Sequence, residues 1–221
     1  MKNRKIFITL FILLSGLVFA QENTDKVTFK KVCESLSSKE ITRGNFELER
    51  YIDKSKRALK SSGSFTISAK DGIIWFTEKP VETVMAVTEK YMIQVQPNGK
   101  KITTDASNNK TFGQIANITS SVFTGNYEVL ENNFDIVFSK QEKTIWKAVL
   151  TPKDDSLKAF IENVTLLLDV TLPNENAGVF NVKITVFEMA TPSKDKTTYK
   201  LSSQSYSDTL SENEKTFFTT K

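Results

Sequence analysis

The chain has 221 residues, room for one substantial core, with 30 Lys+Arg against 26 Asp+Glu. Three of the basic residues, Lys2, Arg4 and Lys5, fall in the first twenty, so the rest carries 27 against 26, a net of +1 and no electrostatic footprint for nucleic acid. With 0 His and 1 Cys, the sequence excludes Ser-His-Asp and Cys-His nucleophiles, the usual zinc sites and an internal disulfide; with no Gly-rich phosphate loop either, no enzyme and no cofactor are expected.

Residues 1–20, "MKNRKIFITLFILLSGLVFA", combine a positive start, an apolar middle and Val18 and Ala20 at the positions of a small-residue cleavage site. This is the pattern of a secretory signal peptide, and the apolar run is short beside the roughly 20 residues of a bilayer span. The expectation is a cleaved leader, a mature chain of residues 21–221 and export to the periplasm. No cysteine follows the cut, so no N-terminal lipid anchor is expected.

Over residues 25–39, Phe29, Val32, Cys33 and Leu36 recur at helical spacing and predict an amphipathic helix. Cys33 sits on its apolar face and reads as a small hydrophobe. Residues 41–44 read as a break. Phe46, Leu48 and Ile52 then open a sheet pattern that runs to Ser62. In "GSFTISAKDGIIWFTEKP", Phe65 and Ile67 share one face, Asp71-Gly72 turns the chain, and Ile73 and Trp75 return on one face with Ile74 and Phe76 on the other. Apolar bulk on both faces requires a cover on each side, and Pro80 stops the strand.

Short β-rich segments follow at "TVMAVTE" and "YMIQVQ", carrying Val84 and Ile93, and "PNG" turns the chain into "KKITTD". "KTFGQIANITSSVFTGN" breaks the rhythm: Phe112, Ile115, Ala116, Thr119, Val122 and Phe123 have helical spacing and Gly125 is a stop. Strand patterns resume with Phe134, Ile136 and Phe138, then Trp146, Ala148 and Leu150. Val164 to Leu172 at every second residue, then Val182, Ile184 and Val186, then "TTYKLSSQSY", complete the set. Many short strands joined by tight turns predict an antiparallel barrel or sandwich, and the helices suggest one curved sheet with its concave face covered. No repeat or composition shift marks a second domain, so residues 21–221 are expected to form one. The apolar helix stripes fit a packed core as well as a lipid-holding cavity. Two Asn-X-Thr patterns, at Asn117 and Asn163, are at a frequency chance supplies.

The helix, the strand from "GNFELER" and the hairpin that follows resemble the LolA family of periplasmic lipoprotein carriers. Gly63, Phe65, Ile67, Ile73, Trp75 and Pro80 match the family's hairpin motif at its spacing, and "FTGNYEVLENNFDIVFS" and "LTPKDD" are similar to the same group. The resemblance implies a mainly β fold: an unclosed antiparallel half-barrel with a helical lid over a hydrophobic cavity. It implies that Phe46, Leu48, Phe65, Ile67, Ile73 and Trp75 line the cavity with Val84, Ile93, Phe134, Ile136 and Trp146. Phe112, Ile115, Val122 and Phe123 would face it from the lid. Where the family's carriers have an Arg-Pro pair in the hairpin turn, this chain has Ala69 and Lys70. Lys70 is the candidate cation for lid and release, without the planar fork of arginine.

The function so implied is that of a soluble periplasmic carrier, a monomer, that shields the acyl chains of lipoproteins or lipids between inner and outer membranes. Its partners would be an acylated cargo, an inner-membrane exporter (an ABC-type lipoprotein extraction complex or a larger lipid exporter) and an outer-membrane acceptor. The alternative is a periplasmic sensor or interaction protein whose half-barrel binds a polypeptide or lipid signal through its exposed sheet edges.

Overall fold

A computed structural model describes residues 27–88, 90–105, 107, 110–172 and 180–219; residues 1–20, with the expected leader, lie outside these. Helix α1 (Phe29–Ser37) starts where Thr28 accepts a hydrogen bond from the Lys31 amide, and it buries Phe29, Val32 and Cys33 as the periodicity predicts. Burial pushes the Cys33 thiol up to about 12, with Glu34 adding to the effect, so it stays an inert thiol.

Strands β1 (Ile41–Ile52), β2 (Arg57–Ser68), β3 (Gly72–Lys79), β4 (Thr83–Val87), β5 (Tyr91–Val95) and β6 (Lys101–Asp105) follow as a meander. Helices α2 (Lys110–Thr124) and α3 (Tyr127–Asn133) come next, then β7 (Phe134–Lys140), β8 (Ile145–Pro152), a single turn α4 (Asp155–Lys158), β9 (Asn163–Thr171), β10 (Asn181–Ala190), β11 (Lys196–Ser207) and α5 (Glu212–Phe217). All eleven strands form one antiparallel sheet in the order β6-β5-β4-β3-β2-β1-β11-β10-β9-β8-β7, which does not close into a barrel. Its edges, β6 and β7, are joined in sequence by α2 and α3. That connection has to cross from one edge to the other, and it does so over the face we call inner.

The inner face carries the main core, in which Phe65, Ile73, Trp75, Leu150, Leu166 and Leu168 meet Val32, Val122, Phe123 and Leu130 of the helices. Gly125 ends α2 at φ +69, and a Cβ there would lie 2.2 Å from the Cys33 carbonyl oxygen. Glycine is therefore required both for the backbone turn and for the approach of α2 to α1.

The outer face explains the doubled apolar run in β3. Ile74, Ala86 and Ile93 form a second buried cluster, against which Phe76, Val84, Tyr91, Phe217 and Phe218 pack. The cover is α5, whose Phe217 ring meets Phe76 edge-on at 5.4 Å. A clasp fixes α5 there. Glu214, 7% exposed, accepts from Arg43 Nε at 2.7 Å and from Thr66 Oγ1 at 2.7 Å, and it closes a capping box with Ser211.

Several expectations from the sequence change. Residues 41–44 are no break: β1 runs through them, with a bulge between Arg43 and Asn45 where it pairs with β11. Gly44 is there because a Cβ would fall 2.7 Å from the Ser202 carbonyl oxygen and 2.8 Å from the Phe65 ring. A second bulge between Ile184 and Val186 switches the face of β10, so Phe187 is buried in the core in place of Val186. Leu172 lies past the end of β9 and is 48% exposed. Helices α3, α4 and α5 were not expected. No helix of the described residues is long and apolar enough to cross a membrane.

Candidate ligand-binding face

Strand alternation decides which side chains reach the inner face. Trp75 pairs with Phe65 on β2 and Met85 on β4, and all three belong to the main core. Around Trp75 the aromatic rings are dense. Phe46 meets it edge-on at 5.2 Å, Tyr199 lies at 4.5 Å, and Phe123 of α2 stands edge-on at 5.7 Å. Phe123 is also 5.2 Å from Phe187, so one ring of the helical layer is wedged between two strands of the sheet. A second aromatic group stacks Phe138 on Trp146 at 4.8 Å and brings Phe29 to Phe138 at 5.6 Å.

Of the residues the sequence proposed, Phe46, Phe65, Ile67, Ile73, Trp75, Val122, Phe123, Phe134 and Trp146 are buried together in this core. Leu48, Ile115 and Ile136 are partly buried against it. The side chain of Phe112 lies outside the described residues. Val84 and Ile93 are corrections: Val84 pairs with Phe76, and Ile93 pairs with Ala86, which faces Ile74. That puts both on the outer face under α5. Lys70 is also placed differently. It reaches Glu40, in the α1–β1 connection and not on α2, at 3.2 Å, with its side chain 78% exposed. An ion pair so open to water contributes at most about 1 kcal/mol.

Around Trp75 the inner face is therefore filled by its own helices in this conformation. A groove of about 500 Å³ is found instead on the opposite side, lined by Glu47, Glu49, Lys60, Lys79, Thr198 and Lys200 among others. Opposite charges alternate along it, as on an ordinary solvated sheet surface.

Strand alternation also places Tyr199 and Arg50 on this face, beside the residues singled out in the sequence. Tyr199 pairs with Leu48 and so shares its face. Burial pushes its phenol up to about 12, against the opposing pull of the nearby Arg50 charge. Arg50 falls two residues after Leu48, on the same face. The signal was in "NFELER", where the alternation Phe46, Leu48, Arg50 ends an apolar row with a cation.

The unclosed antiparallel sheet with a helical layer on one face is the architecture expected from the sequence. No protein-family model matches the sequence, and no curated protein matches it. Among solved structures the chain is similar to an outer membrane lipoprotein-sorting protein domain from Vibrio parahaemolyticus, at TM-score 0.43 and 10% identity over 86% of this chain and 98% of that one. It is similar to a LolA superfamily protein from Nitrosomonas europaea at TM-score 0.44 and 13% identity, over 86% and 97% of the two chains. A third similarity is to the Pseudomonas aeruginosa MucA/MucB complex structure, at TM-score 0.42 and 9% identity over 83% of this chain and 57% of that one. At these identities no site residue is carried from one chain to another.

Proposed function

We propose that this protein is a periplasmic carrier, a binding protein and not a catalyst, that shields acyl chains of lipoproteins or lipids on the inner face of its half-barrel. The observation that carries the reading is the wedge of Phe123 between Trp75 and Phe187. The apolar face of the sheet is covered by a helical connection between its two edges, a wall that can withdraw without breaking any strand pairing. An acyl chain taking the place of that wall is favoured by about 0.8 kcal/mol per buried methylene. Leaving the same chain in water during passage between two membranes carries the equivalent cost, which is the reason for a carrier. With no nucleotide-binding motif in the chain, loading draws on an inner-membrane exporter and delivery on an outer-membrane acceptor. Arg50 replaces Lys70 as the cation of the site in this reading.

The second reading, an interaction protein, is favoured by the two edges of the sheet, β6 and β7, which no further strand covers among the described residues. Ile102 on β6 is 41% exposed and Val137 on β7 is 66% exposed, both on strands able to accept an added strand. Native mass spectrometry of gently purified protein separates the two. The carrier is expected to show added masses of lipid or acylated peptide that disappear on delipidation. A clean single-chain mass that shifts only by a stoichiometric polypeptide would overturn the carrier.

A further inference from the structure

The helical layer does not cover the inner face out to the β1–β2 turn, where Arg50, Arg57 and Leu59 are exposed. Beyond Trp75 the inner face continues in cross-strand rows toward the β1–β2 turn. Tyr199, Leu48 and Ser61 make one row, Thr197, Arg50 and Leu59 the next, and Ile52 with Arg57 the last. Met189 sits beside Thr197 on β10. Leu59 is 56% exposed, whereas Leu48, Met189 and Tyr199 are partly buried against the core. An apolar slope thus leads from the aromatic cluster out to the rim of the half-barrel.

Two cations end that slope. Arg50 lies close enough to Tyr199 for its charge to act on the phenol. Among the described residues neither Arg50 nor Arg57 has an ion-pair or hydrogen-bond partner. The acids on the same strand do not neutralise them: Glu47 and Glu49 alternate onto the outer face, where Glu49 pairs with Lys60 at 3.4 Å. A guanidinium matches the oxygens of a carboxylate or phosphate with two parallel hydrogen bonds. The Tyr199 phenol, held protonated, has an O–H to donate toward the same place.

We propose that this open end is the headgroup site of the carrier: Arg50 and Arg57 select acyl ligands with a carboxylate or phosphate head, while Leu48, Leu59 and Met189 take the first methylenes of the chain. The proposal rests on the carrier reading, and the test separates failure of one from failure of the other. Delipidated protein is titrated calorimetrically, below micelle concentrations, with dodecyl phosphate, dodecanoate, dodecyl maltoside and inorganic phosphate. Wild type is expected to bind both anionic ligands at least tenfold more tightly than the maltoside, with a preference that shrinks as salt is added. The double variant Arg50→Gln/Arg57→Gln should lose that preference, its affinity for both anionic ligands falling to the level of the maltoside, with its melting temperature unchanged. Inorganic phosphate should bind far more weakly than dodecyl phosphate. Equal affinity for all heads, a preference that survives in the double variant, or phosphate binding as tight as that of dodecyl phosphate overturns the headgroup site. Absence of binding by every dodecyl ligand overturns the carrier reading with it.

Discussion

Phe123→Ala is expected to weaken the empty protein and to strengthen its hold on acyl chains. The Phe123 ring is 4% exposed and packs between Trp75 and Phe187. Truncating such a ring in a close-packed core costs about 3–5 kcal/mol, part of it from the cavity left behind. If that space is where an acyl chain lies, the ligand refills it and no longer has to displace the ring. Ligand binding raises stability in proportion to the logarithm of ligand concentration over Kd. Addition of dodecanoate should therefore raise the melting temperature of Phe123→Ala more than that of wild type. Ile93→Ala is the control: it also opens a cavity, since Ile93 is fully buried, but on the outer face. It should be destabilised and gain no more from dodecanoate than wild type does. Equal ligand-induced shifts in all three proteins would make Phe123 plain core.

Glu214→Gln is expected to cost about 3 kcal/mol at neutral pH and to leave acyl binding intact. The Arg43 guanidinium, bonded to both carboxylate oxygens, together with Thr66 and Ser211, holds the Glu214 carboxyl down at about 2, against the opposing effect of burial. The drop from an ordinary value of 4.5 corresponds to about 3 kcal/mol of stability. Because the folded-state value is the lower one, that contribution is complete above about pH 4.5 and is lost as the pH falls toward about 2. Urea unfolding of wild type and Glu214→Gln should thus show a gap that is constant at neutral pH and closes progressively in acid. The variant should also bind apolar dye as α5 loosens from Ile74, Ile93 and Phe76. A gap that stays undiminished down to pH 2 would contradict the clasp. Loss of acyl binding in the folded variant would contradict the division of the sheet into a ligand face and a structural face.

The strands were legible because alternation is a direct image of a sheet with one buried face, and Phe65, Ile67, Ile73 and Trp75 show it cleanly. Alternation does not say which side is inner where both sides are apolar. "TVMAV" places Met85 and Val84 on opposite faces, and only the pairing of Met85 with Trp75 shows that Val84 faces out. Bulges erase the pattern locally: Phe187 takes the place expected of Val186 because one residue is inserted in β10. Gly44 looked like a breaker because glycine favours turns, yet its role is to make room for the Ser202 carbonyl and the Phe65 ring, contacts set by the two neighbouring strands. Helix α5 is short and polar, with adjacent Phe217 and Phe218 and no apolar period. Its one readable mark was the capping box from Ser211 to Glu214. Arg50 and Arg57 carried the right parity, but their meaning depends on their lying at an end of the inner face that stays exposed.

Trp75 emission is the most direct probe of an acyl chain entering the half-barrel. Trp146, the other tryptophan, stacks on Phe138 at 4.8 Å and is changed to Phe so that Trp75 reports alone. In the folded, delipidated Trp146→Phe protein, added fatty acids should shift the emission saturably. Affinity should fall several-fold for each few methylenes removed, because burial free energy scales with apolar area. An emission spectrum unchanged by fatty acids of every chain length would contradict the carrier and leave Trp75 as part of an ordinary core.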